Sequence, residues 1–286
     1  MPRRPTAVRL LLLLPLLALA PLPALTASRI AVVLSDGQDP GREALRGVRE
    51  VLPDAEPLGL QDALGALEGV GVVVALGPQA AGLAYPPAVS VVAALVGDAG
   101  PRPASGVRVS PLPDAFFLMS KIHDLVPGVS TLAIFTGAGH YQPYVRYLGA
   151  AGRVTGTKIL LRTADAPADV VTALRSLPGQ AQALWLAPEP QLLGQESFRL
   201  IAQYCLANKV ALIAPVPELA GAGALAGVAP APHDLGRAAG LAALALAAGK
   251  ATGSSVDAEL SRVLINPATA AALGLKADAR DGELLP

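Results

Sequence analysis

The stretch Arg29-Ile30-Ala31-Val32-Val33-Leu34, followed at once by Ser35-Asp36-Gly37, decides the fold of this chain. Its apolar residues run without a break, as they do in strands that are buried on both faces of a parallel sheet. The polar turn leads into residues 41–52, where apolar side chains recur at helical spacing. These positions are Ala44, Leu45, Val48 and Leu52. A buried strand followed by an amphipathic helix predicts the start of an α/β domain.

The same pattern repeats before residue 101. A second buried strand is predicted over Val70–Leu76, closed by Gly77-Pro78, and a helix begins within residues 79–84. A third strand is predicted over residues 88–96. Strands and helices that alternate in this order predict a doubly wound α/β layer built on a parallel sheet.

A second α/β unit of similar size follows. Its predicted strands cover residues 132–135, 158–161, 183–186 and 210–213. Its predicted helices cover residues 114–125, 144–154, 168–177 and 197–208, and an Ala/Leu-rich helix over 234–248 comes later. No low-complexity tract separates the two units. The sequence therefore predicts an α/β protein with two doubly wound parallel-sheet lobes.

The first 27 residues have the pattern of a cleavable secretory signal peptide. Arg3, Arg4 and Arg9 precede an apolar run over residues 10–20, and small residues surround Ala27. The alternative is an uncleaved membrane anchor, but prolines break the run, which is shorter than the roughly 20 residues of a spanning helix. We expect cleavage after Ala27 and a mature chain that works outside the cytoplasm.

The only cysteine, Cys205, lies far from that cleavage point, so a lipoprotein is not expected and no intrachain disulfide can form. The 22 basic and 22 acidic residues give a formal net charge of zero, with no basic tract after Arg9. A nucleic-acid partner would need a cationic face, so none is expected.

Polar and glycine residues follow the predicted strands at the positions where open α/β sheets bind ligands. Two lobes that face each other with such loops would form a cleft between them. A small molecule bound in this cleft would contact both lobes and favour a closed state. The candidate ligand-binding residues are Ser35, Asp36, Gly77, Gln79, Asp98, Thr136, Gly137, His140, Glu189 and Glu218.

Each of these loops has a structural alternative. Ser35 and Asp36 can cap the helix that follows them, Asp98 can close a turn, and Glu189 can lie in a solvated turn between two prolines. The loop over residues 136–140 is rich in glycine, but it lacks the Lys-Ser/Thr of a P-loop and the third glycine of a dinucleotide fingerprint.

The sequence shows no recognisable set of catalytic residues. His123, His140 and His233 are far apart and follow no metal-ligand spacing, and no Gly-x-Ser-x-Gly nucleophile elbow occurs. Cys205 and Trp185 are expected in the core. We therefore expect neither catalysis nor a cofactor or bound metal.

Four segments carry a resemblance to a known family, over residues 126–129, 183–190, 234–239 and 262–275. The most specific is the end of the chain, an Asn-led segment that closes in Ala-x-x-Leu-Gly. Together the four segments resemble the bacterial ABC-transporter substrate-binding proteins of the type I periplasmic fold, in the branch associated with aromatic amino-acid uptake.

The resemblance implies a chain path and a role. One lobe would consist of residues 29–110 and 228–251, and the other of 111–227 and 252–286, with hinge strands between them. The protein would be a periplasmic monomer that captures an amino acid or a similar molecule and delivers it to an ABC permease in the inner membrane. The alternative is a sensory or partner-docking protein with the same fold that signals to a membrane kinase or complex.

The chain departs from the family at the expected pocket. Pro78 replaces a hydroxyl residue, Ala99 replaces the proline after Asp98, and residues 219–223 lack the family's Tyr-x-x-Gly. The aromatic residue expected a few positions after Ser35 is also missing. The resemblance therefore implies the fold more strongly than it implies an amino-acid ligand.

Overall fold

The computed structural model describes residues 28–35, 39–97, 100, 103, 105–139, 141–250 and 252–286, so the predicted signal peptide lies outside the described residues. Two β-sheets organise this part of the chain. The strands are β1 (Arg29–Leu34), β2 (Pro57–Gly59), β3 (Val70–Leu76), β4 (Ser90–Ala94), β5 (Gly106–Val109), β6 (Thr131–Thr136), β7 (Lys158–Thr163), β8 (Ala183–Leu186), β9 (Ala211–Ala214), β10 (Ala226–Ala229), β11 (Ser255–Val256), β12 (Arg262–Ile265) and β13 (Glu283–Leu284).

Helices connect the strands and cover the sheets. They are α1 (Asp39–Val51), α2 (Leu60–Ala63), α3 (Pro78–Ala81), α4 (Ala115–Leu125), α5 (Gln142–Thr155), α6 (Pro167–Arg175), α7 (Pro190–Leu193), α8 (Gln195–Ala207), α9 (Pro232–Ala247) and α10 (Pro267–Leu273), with short 3-10 helices at Leu64–Ala66 and Pro217–Ala220. In the described ranges, no helix has the length and hydropathy needed to cross a membrane.

The first sheet is entirely parallel and has the order β11-β5-β4-β3-β1-β2. Alternate residues of its central strands enter different cores: Val32 and Val74 pack beneath α1 and α9, whereas Val33 and Val73 pack on the opposite face. Because both faces are covered, the central residues of β1, β3 and β4 are apolar. This arrangement confirms the predicted doubly wound layer.

The second sheet has the order β13-β12-β10-β9-β8-β6-β7, and the pair β10–β12 is antiparallel. Ile134 and Trp185 pack on the face covered by α4 and α5, and Phe135 and Leu186 pack on the other face. The core position predicted for Trp185 is confirmed, since its side chain is fully buried.

Helix α9 belongs to the first lobe, although it follows the second sheet's β10 in the chain. It packs against α1, with two glycines at the crossing. A Cβ atom at Gly236 would overlap the backbone of Ala44, and a Cβ atom at Gly47 would overlap the carbonyl oxygen of His233. The two backbones therefore approach more closely than any larger residue would allow.

Three segments cross between the sheets: residues 110–114 from β5 to α4, 230–231 from β10 to α9, and 257–261 from β11 to β12. The first and third leave the first sheet at its carboxyl edge, and the second leaves the carboxyl edge of the second sheet. The 230–231 crossing spans about 10 Å at most. The carboxyl edges of both sheets therefore face the junction between the lobes.

The chain path differs in detail from the expected one. The strands β5, β10 and β11, which flank the crossings, were not predicted, and α3 ends at Ala81 rather than continuing to residue 84. The crossings at 230–231 and 257–261 also lie a few residues beyond the implied boundaries at 228 and 252.

Candidate functional site

At the carboxyl edge of the first sheet, Ser35 and Gly77 bring the end of β1 into contact with the start of α3. The Ser35 hydroxyl accepts a hydrogen bond from the Ala80 backbone N–H at 2.9 Å. Gly77 has a φ of +99°, and a Cβ atom there would overlap the Ser35 side chain. Ser35 thus stabilises the helix after β3, whereas the sequence had suggested capping of the next helix along the chain.

The segment around α3 is anchored from its other end by Tyr85. The Tyr85 hydroxyl donates a hydrogen bond to the Ala80 carbonyl at 2.8 Å, and burial raises its pKa to about 12. It therefore remains a donor at neutral pH. Gln79, a predicted ligand contact, is exposed on the same short helix. Ser35 also lines a depression of about 410 Å³ at the ends of β1 and β2.

The loop after β4 is held by a residue that the sequence reasoning missed. Arg108 of β5 is only 7% exposed, and its guanidinium donates to the carbonyl oxygens of Gly97 and Gly100 at 3.4 and 3.2 Å. The predicted contact Asp98 lies outside the described residues, as do Asp36 and His140.

At the carboxyl edge of the second sheet, three predicted residues come together. Glu189 is only 5% exposed, and its Oε1 lies 3.0 Å from the Thr136 hydroxyl and 2.6 Å from the Gly137 backbone nitrogen. Its Oε2 accepts a hydrogen bond from the Gln191 side chain at 2.6 Å. The structural alternative of a solvated turn at Glu189 is wrong, because its side chain turns inward and bonds to the loop after β6.

A second carboxylate holds the next residue of that loop. Asp165, two residues after the end of β7, accepts a hydrogen bond from the Ala138 backbone N–H at 2.6 Å. Asp169 in turn accepts hydrogen bonds from the backbone N–H groups of Asp165 and Ala166. Sequence reasoning missed Asp165 and Gln191, although the strand-end rule applied to β7 would have pointed to Asp165.

Glu218 lies apart from this cluster. It is exposed on the 3-10 helix after β9, and its carboxylate is 3.4 Å from the Arg262 guanidinium. Arg262 binds Glu283 more closely, at 2.8 Å, and this bond lowers the pKa of the Glu283 carboxyl. Glu218 is therefore a weak partner in an exposed ion-pair cluster at the same sheet edge.

Polar contacts hold the first and third crossings in place. The Tyr144 hydroxyl of α5 donates to the Pro113 carbonyl in the first crossing at 2.8 Å, while its ring lies 5.4 Å from that of Trp185. Asp257 of the third crossing accepts a hydrogen bond from the Ser110 hydroxyl, and burial raises its pKa. The first and third crossings are thus tied side by side.

Metal-ligating side chains and the cysteine thiol are groups from which reactive centres are often built. In the described part of the chain, no three His, Cys, Asp or Glu side chains are grouped so that they could hold a metal ion. The predicted core position of Cys205 is confirmed, and burial raises the pKa of its thiol to about 12, so it is not an activated nucleophile. A second cavity of about 260 Å³, between α9 and residues 252–260, includes none of the predicted site residues in its lining.

Two α/β lobes, three crossings and facing carboxyl edges define the class: this is a two-lobed protein of the type I periplasmic binding fold. The chain matches the family model described as ABC transporter substrate binding protein over residues 89–280. It therefore belongs to the ABC transporter substrate-binding protein family, which confirms the resemblance seen in the sequence.

Solved structures agree on the fold. A substrate binding protein with adhesive properties from Clostridium difficile, in a ligand-free open form, matches with a TM-score of 0.64 and 14% identity, over 90% of this chain and 98% of that one. The ABC domain in complex with L-Trp from Streptococcus pneumonia matches with a TM-score of 0.58 and 16% identity, over 90% and 99%. A search of curated proteins found no match to this sequence.

Proposed function

We propose that this protein captures a small molecule, an amino acid or a similar metabolite, between its two lobes in the periplasm and delivers it to an ABC permease. Membership of the substrate-binding family supports the transport role. One of the similar structures is a complex with L-Trp, which supports amino acids as the first ligands to test.

The observation that carries this proposal is the position of the strand-end loops. Both carboxyl edges face the junction between the lobes, and both carry loops that are already braced by hydrogen bonds. Ser35 and Tyr85 fix the loop after β3, and Glu189 and Asp165 fix the loop after β6. Loops that are ordered before binding lose less entropy when a ligand arrives.

The crossings supply the motion that such a protein needs. A ligand that contacts both edges favours the closed arrangement, because it makes contacts there that an open arrangement lacks. The hinge would lie at residues 110–114, 230–231 and 257–261, where only a few residues join the lobes. A membrane permease could then distinguish the loaded protein by its shape.

The location is also a proposal. The leader pattern over residues 1–27 supports export, and the single cysteine, which is buried in α8, supports a protein without a lipid anchor. We propose that the mature chain diffuses freely as a monomer and acts by binding alone, without catalysis.

The test is a thermal-shift screen of the mature protein against the 20 L-amino acids and a set of small metabolites. The protein is first unfolded, dialysed and refolded so that no ligand is carried through purification. A ligand at 100 times its Kd should stabilise the folded state by about 2.7 kcal/mol. Each hit is then confirmed by calorimetry, and closure is measured by small-angle X-ray scattering.

Two outcomes would contradict the proposal. The absence of stabilisation by any compound, in protein verified as ligand-free and folded, would argue against solute capture. Binding without a decrease in the radius of gyration would argue against capture between moving lobes.

A further inference from the structure

Glu189 lies at the carboxyl edge of the second sheet, where a ligand would be expected, yet its side chain has the environment of an interior residue. It follows β8 and precedes α7, and only 5% of it is exposed. Burial of a carboxylate is costly unless donors surround it. The donors here are all neutral groups of the same lobe.

Those donors account for both oxygens of the carboxylate. Oε1 accepts the Gly137 N–H at 2.6 Å and lies 3.0 Å from the Thr136 hydroxyl, and Oε2 accepts the Gln191 amide at 2.6 Å. The Gln191 amide also lies 3.3 Å from the Ala164 carbonyl oxygen, so it links Glu189 to the end of β7. Glu189 thus ties the ends of β6, β7 and β8 together.

Three side chains pack closely around Gly137. A Cβ atom at Gly137 would overlap the Glu189 carboxylate and the Gln191 amide, and it would lie 3.1 Å from Asp165 Oδ1. Any larger residue at this position would push the ends of these side chains out of the hydrogen bonds that they make. Glu189 and Asp165 accept hydrogen bonds from the backbone N–H groups of Gly137 and Ala138, two successive residues of this loop.

We propose that Glu189 is a positioning residue of the binding site: it holds residues 136–138 in the conformation that meets the ligand, and it does not contact the ligand itself. This inference rests on the proposed function, since it assigns a role within that site. Thr136 and Gly137 act through their fixed backbone, and Gln191 orients the carboxylate.

The experiment compares three variants of the mature protein. Glu189→Gln keeps an acceptor for Gly137, and the Gln191 amide can turn to face the new amide. Glu189→Leu has a similar size but no acceptor. Glu196→Gln, on the exposed first turn of α8, makes the same chemical change as Glu189→Gln outside the network and is the matched control.

Two quantities are measured for each variant at a temperature where circular dichroism shows it to be folded. One is the hydrogen-exchange rate of the Gly137 amide, followed by NMR without ligand. The other is the Kd for the amino acid that binds the wild type most tightly among the 20 L-amino acids.

We expect Glu189→Leu to accelerate Gly137 exchange and raise the Kd, each by about tenfold, because the Gly137 amide loses its charge-assisted hydrogen bond. Glu189→Gln should stay within about threefold of the wild type in both quantities, and Glu196→Gln should match the wild type. If Glu189→Leu does not fold, Thr136→Val removes one donor and should raise both quantities by about threefold.

Several outcomes overturn the proposal. If Glu189→Gln weakens binding as much as Glu189→Leu while Gly137 stays protected, Glu189 contacts the ligand through its charge. If Glu189→Leu, or Thr136→Val in its place, leaves exchange unchanged, the loop does not depend on this network. If no amino acid binds the wild type, the proposed ligand class fails separately, and the exchange rates still decide whether Glu189 holds the loop.

Discussion

The contact between α1 and α9 gives the sharpest test of the fold, through the substitution Gly236→Ala. Gly236 is buried in α9, and an added Cβ atom would overlap the carbonyl oxygen, carbonyl carbon and Cα of Ala44. Backbone atoms within a helix cannot rotate away as a side chain can. The two helices would have to separate, which would loosen the packing of Leu235 and Ala239 on the first sheet.

Two effects of opposite sign decide the magnitude. Alanine is favoured over glycine in a helix interior by about 1 kcal/mol. Overpacking costs about 1–3 kcal/mol, and an overlap between two backbones lies at the upper end or beyond. We therefore expect a net loss of about 2 kcal/mol in the free energy of unfolding. For a chain of this size, that loss lowers the Tm by about 4–8 °C.

The same substitution at Gly149 in α5 is the matched control. A Cβ atom there would meet only the Arg153 guanidinium, at 4.0 Å, so the helix preference acts alone. Gly149→Ala should therefore stabilise the protein by up to about 1 kcal/mol. Both variants are measured by urea unfolding, followed by circular dichroism and by the fluorescence of Trp185, the only tryptophan.

The two signals also separate the lobes, because Trp185 lies in the second lobe and Gly236 in the first. A transition that shifts in circular dichroism but not in fluorescence would show that the lobes unfold separately. The reasoning would be refuted if Gly236→Ala were as stable as the wild type, or if Gly149→Ala were the more destabilised of the two.

Three further measurements test the crossings and the core. Burial raises the pKa of Asp257 above 3.8, so the ionised carboxylate destabilises the folded state. Asp257→Asn should therefore raise the Tm at pH 7. In thermal melts at a series of pH values, this gain in Tm should vanish as the pH falls below about 3.8. Tyr144→Phe loses the hydrogen bond to the Pro113 carbonyl, so chemical denaturation should show a loss of about 1 kcal/mol. Because burial raises the pKa of Cys205 to about 12, its thiol should resist a thiol reagent in the native protein and react on unfolding. Rapid labelling of the native protein would contradict the buried position of Cys205.

Apolar patterning in the sequence was sufficient to predict the long central strands. The predicted segments 29–34, 70–76 and 183–186 match β1, β3 and β8. These strands are buried on both faces, so an unbroken apolar run identifies them. The strand-end rule then located Ser35 and Thr136 at the correct edges of the two sheets.

The strands beside the crossings could not be found in this way. β10 has the sequence Ala-Gly-Val-Ala, and β11 has two residues, so neither is long enough to show a period. Gly227 of β10 is required because a Cβ atom would overlap the backbone of Val216 and Pro217. Such a constraint arises only when distant segments have come together.

The inward orientation of Glu189 could not be predicted either, because it also depends on contacts between segments that are distant in the chain. Its flanking prolines favour a turn, but its donors Thr136 and Gly137 are about 50 residues away in the chain. Arg108 was missed because a charged residue in a short apolar segment argues against a buried strand. Its position becomes clear only when the carbonyl oxygens of the loop after β4 are seen around it.

The position of α9 has a consequence for how this chain is made. The first lobe contains the first five strands, but the helix that covers them and packs against α1 ends at Ala247. During synthesis, the apolar face of α1 and of the first sheet therefore stays uncovered by α9 while the chain from α4 to β10 of the second lobe is added. The first lobe is the first to be started and cannot be completed until most of the second lobe has been made. Cleavage within the 230–231 crossing would separate α9 from the second lobe's β10 without removing it from the first lobe.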